Sequence, residues 1–327
     1  MTDEKLPRQL MLVPADDGRV FEVAESSSES ESTALVAGIP DTGIDASAAR
    51  VLGLEDETDP SALGFMARFL VMCTLPHRDP GVAHYERVNG ALTLSIMNRP
   101  AIGLPYGRYA RLIMAWICSE TVRTGSPELQ PGNTLSEFMD KLGIHTTGGR
   151  QGTIQRLRDQ MVKLLTSMIS VSATGTADAE GATWDFFHAA NASVTSEFAL
   201  WRQRAQGSDE GQIKAGIRLS PDFYKAIIDR PVPLDLKVFH GLRAPLAMDL
   251  YVWLGYRAFV LERSGKSAAR IPWELLQNQM GADYGRPRAF RQKTEYYLSR
   301  VLPHLPGIAV KDRRGALELR LLPKAKG

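Results

Sequence analysis

The stretch "GGRQGTIQRLRDQMVKLL", residues 148–165, gathers side chains able to recognise a polyanion at helical spacing. Arginine can fork two N–H groups onto guanine and glutamine can pair bidentately with adenine, while lysine and the free N–H groups of a helix start hold phosphates. Arg150, Gln151, Thr153, Gln155, Arg156 and Lys163 are the residues here that fit those roles. Gly148 and Gly149 would let the backbone approach its ligand closely. Asp159, three residues after Arg156, is expected to orient that arginine. A second set lies in "RPRAFRQKTEYYLSRVL", where Arg286, Arg288, Gln292, Lys293, Tyr296 and Arg300 take equivalent places. Close behind, "KDRRG" adds Lys311, Arg313 and Arg314 at a turn.

Both segments are amphipathic. At about 100° per residue, Ile154, Leu157, Met161, Leu164, Leu165 and Met168 share one arc, and Phe290, Thr294, Tyr297, Leu298 and Val301 share another. The outward faces are rich in Arg, Lys and Gln, where an indifferent solvated helix mixes in more Glu. Enzyme signatures are thin. The six histidines form no H-x-H pair, which disfavours a metal-holding nickase. There is no GxxxxGK[ST] loop and no GxSxG elbow. Cys73 and Cys118 lie in apolar helical runs, where a thiol behaves as a small buried hydrophobe. Trp116, Trp253 and Met161 fall on apolar stripes and read as core. A non-enzymatic chain without metal or cofactor is expected.

The elements that must carry these faces follow from punctuation. Residues 1–60 contain the acidic, serine-rich "VAESSSESESTALVAG" and are expected to be mostly disordered. "SALGFMARFLVMCTLPHR" reads as a helix opened by Ser61 and closed by Pro76. "YERVNGALTLSIMN" places Asn89 and Gly90 between two alternating runs, a hairpin signal. A helix runs from Pro105 to Gly125, and Thr134 with Glu137 is in capping-box register before a short helix that stops near Gly143. The amphipathic helix comes next, followed by a hairpin in "SMISVSATGTADAEGATWDFFHA". Helix, short helix, turn, amphipathic helix and hairpin is the order of a winged helix, whose second helix enters the major groove.

That order recurs in "APLAMDLYVWLGYRAFV", "IPWELLQNQMG", "RPRAFRQKTEYYLSRVL" and "GIAVKDRRGALELRLL", whose hairpin turns at Arg313 to Gly315. Trp116 to Gly143 spans 27 residues and Trp253 to Gly281 spans 28. "DRPVPLDL", residues 229–236, reads as the linker. The fold class expected is α+β, mostly helical: an acidic tail over 1–60, a first winged-helix domain with its N-terminal helix and hairpin over 61–235, and a second over 236–327.

A chain of 327 residues that is 44% hydrophobic can bury such cores. Its net charge of +2 conceals an asymmetry, because residues 1–60 hold fourteen Asp and Glu against four Lys and Arg. The remainder is therefore strongly basic, as expected of a body that meets a polyanion. The N-terminus has no apolar signal core and no run of eighteen apolar residues occurs, so a soluble intracellular, cytoplasmic chain with no membrane partner is expected.

The segments "GLPYG", "RLIMAWICSETVRT", "LSEFMDKLGI", "TGGRQGTIQRLRDQM", "RAPLAMDLYVWLGYR" and "IPWELLQNQMGADY" closely resemble plasmid-encoded RepA replication initiators. The similarity covers roughly residues 65–322, leaving the acidic tail outside. The resemblance implies an initiator that binds repeated duplex-DNA sites, or iterons, at a plasmid origin. It also implies opening of the duplex, recruitment of host helicase and initiator proteins, and a homodimer that represses its own gene and controls copy number. The hairpin at Asn89 and Gly90, with the helix before it, is the candidate for exchange between dimer and DNA-bound monomer. Two other readings remain open on the residues alone: a tandem winged-helix transcriptional repressor, and a basic module that binds acidic proteins.

Overall fold

The computed structural model describes residues 12–13, 22–23, 51–54, 62–147, 152–179, 182–202, 213–229, 231–280, 284–313 and 315–323. Most of the expected tail lies outside them. Within it, Leu12–Val13 (β1) and Glu22–Val23 (β2) form a short antiparallel pair. Val51, Leu52 and Leu54 are buried in the core, with the Leu52 side chain 3.3 Å from where a Cβ on Gly255 would stand. The packed body thus starts before Ser61.

The helix expected from Ser61 to Pro76 is instead a strand, Leu63–Met66 (β3), and a five-residue helix, Arg68–Met72 (α1). The strand forms because Leu63–Met66 finds a distant antiparallel partner, and tertiary pairing overrides a local helical pattern. His84–Asn89 (β4) and Leu92–Met97 (β5) form the expected hairpin. Asn89 pairs with Leu92, so the turn residues are Gly90, at φ 58°, and Ala91, one position later than expected. Gly107–Thr124 (α2) starts after Tyr106 and ends at Gly125 in the left-handed conformation, φ 61°. Leu112, Ile113, Met114, Ala115, Ile117 and Cys118 are all fully buried, so α2 is enclosed on every side and acts as a hub.

After the short strand Glu128–Leu129 (β6) comes Leu135–Lys141 (α3), with the expected capping box between Thr134 and Glu137. Thr153–Leu165 (α4) is the opening amphipathic segment. Two long strands, Met168–Ala179 (β7) and Ala182–Ser193 (β8), are followed by Thr195–Arg202 (β9), Ile213–Leu219 (β10) and the helix Pro221–Ile228 (α5). Then Val232–Asp235 (β11) leads into Leu236–Gly241 (α6). The expected linker at 229–236 is therefore a buried strand: β11 pairs with β3, with Val232 and Leu234 in the core.

The second half runs Pro245–Arg263 (α7), Ala268–Pro272 (β12), Trp273–Gln279 (α8), Pro287–Val301 (α9), Ile308–Arg313 (β13) and Ala316–Leu321 (β14). Its sheet has the order β12-β14-β13, and the first half contains the matching sheet β6-β10-β9. In both, the strand between the first two helices pairs with the last strand of the following hairpin. The internal repeat is thus carried by topology. The hairpin equivalent to β13–β14 is β9–β10, not the β7–β8 pair that follows α4 directly. Strands β7 and β8 instead extend the N-terminal hairpin into a four-stranded sheet, β4-β5-β7-β8. The fold is mixed α/β and not mostly helical, since among the described residues strand and helix contribute in comparable measure.

Candidate nucleic-acid interface

Helix α4 buries Leu157, Met161, Leu164 and Leu165, with Ile154 packed at the margin of the core. Met168 does not continue the stripe, because the helix stops at Leu165 and Met168 opens β7, 48% exposed. Gln155, Arg156 and Asp159 are exposed as expected. Asp159, however, accepts a hydrogen bond from Gln155 Nε2 at 2.7 Å, so it orients the glutamine and not Arg156. Gly148, Gly149, Arg150 and Gln151 lie outside the described residues.

Two further residues of the first set are engaged by the protein itself. Thr153 Oγ1 donates to His145 O at 2.9 Å and accepts from Thr147 N at 2.8 Å. Its own N–H donates to Thr147 Oγ1 at 3.0 Å, and the N–H of Ile154 goes to Thr147 O. The first N–H groups of α4 are thus satisfied internally instead of lying open to a phosphate. Lys163 is nearly buried: its side chain is 16% exposed, its Nζ lies 3.4 Å from Asp79 Oδ2 and 4.7 Å from the centroid of the Tyr106 ring. It is a fastener, not an outward cation. Arg158, by contrast, is exposed. Sequence reasoning passed over it because it falls about 20° from Leu165 on the helical wheel, beside the apolar stripe.

Helix α9 buries Phe290, Thr294, Leu298 and Val301, with Tyr297 half-buried. Arg286, Arg288, Gln292, Lys293, Tyr296 and Arg300 are all exposed, and none of these cations meets a carboxylate among the described residues. Lys293 and Arg300 flank the Tyr296 ring at 5.1 and 4.6 Å from its centroid, a stack of two cations and an aromatic 48% exposed. Arg291, two residues before Lys293, pairs with Glu295 and Asp312 and lies over Trp273, fastening α9 to β13. At the turn of β13–β14, Lys311 is exposed, while Arg313 pairs with the buried Glu318 at 2.9 Å and carries less free charge than expected. Arg314 lies outside the described residues.

A second group of polar residues escaped the sequence reading. Arg111 of α2, 3% exposed, meets Asp249 of α7 through Nε to Oδ1 at 2.7 Å and Nη2 to Oδ2 at 2.6 Å. Its other N–H groups donate to Leu75 O, Pro76 O and Gly107 O. His77 Nε2 lies 2.9 Å from the same Asp249 Oδ2. One turn earlier on α2, Arg108 donates to His240 O and Leu242 O at the entry to α7. Burial pulls the His77 pKa below its usual value, and the Arg111 guanidinium holds the Asp249 carboxyl below the ordinary range against the cost of burial. The available signal was a lone arginine in "YARLIMAW" and a lone aspartate in "LAMDLYVW", charges inside otherwise apolar helices. Burial pushes both thiols, Cys73 and Cys118, up to about 12, as for inert core cysteines. Among the described residues no cluster of His, Cys, Asp and Glu could hold a metal, and no helix is long and apolar enough to cross a membrane.

A family model described as plasmid-encoded RepA protein matches residues 104–275, more than half of the chain. The chain belongs to this family of plasmid replication initiators. The match opens three residues before α2 and ends inside α8, so it takes in the whole first repeat and stops short of α9 and its hairpin. Two solved structures are similar. One is the crystal structure of selenomethionine derivatives of domains 2 and 3 of RctB, 12% identical with a TM-score of 0.49, covering 79% of this chain and 96% of that one. The other is a crystal structure of RctB domains 2–3, 14% identical with a TM-score of 0.45, covering 77% and 96%. No curated protein sequence matches the chain.

Proposed function

We propose that this initiator binds repeated duplex sites at its plasmid origin through two tandem winged-helix units, with α4 and α9 as recognition helices and the turn of β13–β14 as a wing. It acts without catalysis in the bacterial cytoplasm: binding helps open the duplex and recruits host helicase or initiator proteins. As a homodimer it represses its own gene. The observation that carries the reading is the outward face of α9, where Arg286, Arg288, Gln292, Lys293, Tyr296 and Arg300 stand exposed with no acidic partner among the described residues. A surface that gathers cations of one sign attracts a polyanion. The shared pairing pattern of the sheets β6-β10-β9 and β12-β14-β13 supports the same assignment for α4, with Gln155 and Arg156 as its base readers.

The test is a minimal plasmid that carries only this gene and its upstream DNA, introduced into a permissive host. It should replicate, and a version encoding Arg288→Glu and Lys293→Glu should not, although the protein accumulates. Binding of an operator without replication would leave a repressor. Failure of the purified chain to bind any part of the upstream duplex would leave the protein-binding module.

A further inference from the structure

We infer that Arg111 and Asp249, supported by Arg108 and His77, are positioning residues that clamp α4 and α9 at one fixed spacing, so that the two units read their half-sites as a single rigid body. The inference rests on the duplex-binding reading above and adds to it a determinant of site spacing. Each recognition helix is first fixed to a partner. Gln160 of α4 is 5% exposed and its Oε1 accepts from Tyr106 N at 2.8 Å, while Lys163 lies on the Tyr106 ring, so the start of α2 is tied to α4. Helix α9 packs against α7 and buries Phe290, Thr294, Leu298 and Val301. What remains is the joint between α2 and α7, and the bidentate pair sits on it.

The chemistry of that joint favours geometry over cohesion. All five N–H donors of Arg111 are used, three on carbonyls of its own unit and two on Asp249, which leaves the guanidinium one orientation. A buried ion pair adds little to stability compared with apolar side chains of like size, because desolvation offsets the attraction. A planar fork on a carboxylate does fix distance and angle. The pair also joins the corresponding helices of the two repeats at nearly matching points, five residues before Trp116 and four before Trp253. Arg108 adds a second point of hold on the carbonyls of His240 and Leu242, just ahead of α7. Two binding units held at a fitting span gain from each other's occupancy, and that gain disappears when the span is wrong.

The full chain selects its preferred duplex from a random pool, and affinity is then measured for that duplex and for versions with five or ten base pairs inserted at the centre. The wild-type protein should lose about a hundredfold or more on either insertion. Asp249→Asn keeps the shape of the carboxylate and removes its charge; it should bind the intact duplex about tenfold more weakly and lose less than about tenfold on insertion. Arg108→Ala leaves the buried pair in place, folds independently of it, and should shift both numbers the same way to a smaller extent. A wild-type protein that tolerates the insertions, or folded variants that keep its full insertion penalty while merely losing thermal stability, would overturn the clamp and leave duplex binding intact. Selection of no duplex at all would overturn both.

Discussion

Arg156 and Lys311 are both exposed cations, but they stand on different elements and should do different work. Arg156→Ala, at the outward face of α4, is expected to cost about 1–3 kcal/mol of binding and to relax discrimination at one or two positions. Lys311→Ala should weaken all sequences about equally and reduce the salt slope by about one. Titration of each variant against the selected duplex and its single-base changes checks this; uniform loss for Arg156 and lost selectivity for Lys311 would reverse the assignment. Lys163→Ala should leave base discrimination unchanged and lower folding stability by about 1 kcal/mol, read by urea denaturation, because its charge is spent on Tyr106 and Asp79. The outward arcs of α4 and α9 were legible in the sequence because helical periodicity is local. The fate of Lys163 was not, since Asp79 lies 84 residues away, and Arg111 with Asp249 was missed for the same reason.

At the scale of elements, the capping box of α3 was readable from four residues and is present as expected. Thr134→Ala should therefore cost about 1 kcal/mol of stability, measured by thermal or denaturant unfolding, while Thr134→Ser should cost much less. The strands β3, β6 and β11 were not readable: each is short and exists only through partners 88 to 172 residues distant, so no local pattern announces it. The choice of hairpin failed likewise, because β7–β8 follows α4 directly and only the pairing of β6 with β10 reveals which strands complete the repeat. The α2–α7 joint also makes stability depend on pH. The folded-state pKa of His77 lies below the ordinary 6.5, so the unfolded chain takes up the proton more readily and stability falls as pH drops through 6.5. The contribution of Asp249, whose pKa lies below 3.8, is full above that value and is lost only in stronger acid. Melting temperature should thus decrease between pH 7 and pH 5, and His77→Gln should flatten that part of the profile; an unchanged slope in the variant would remove His77 from the account.

For the whole molecule, charge is divided as the sequence indicated, with fourteen acidic against four basic residues in the first sixty and a basic excess in the rest. The fold adds where that excess is free to act. Arg291 and Arg313 are neutralised by Asp312, Glu295 and Glu318, whereas the outward cations of α9, with Arg156 and Arg158 of α4 and Lys311, are not paired with acids among the described residues. If α4, α9 and the β13–β14 turn together neutralise about six to ten phosphates, binding must release a corresponding number of counterions. The measurement that bears most directly on this is the affinity of the full chain for its selected duplex as a function of salt. The account predicts a fall of about 10³ to 10⁵ between 50 and 200 mM salt. A nearly flat curve, or equal affinity for the selected and unrelated duplexes at every salt concentration, would contradict it.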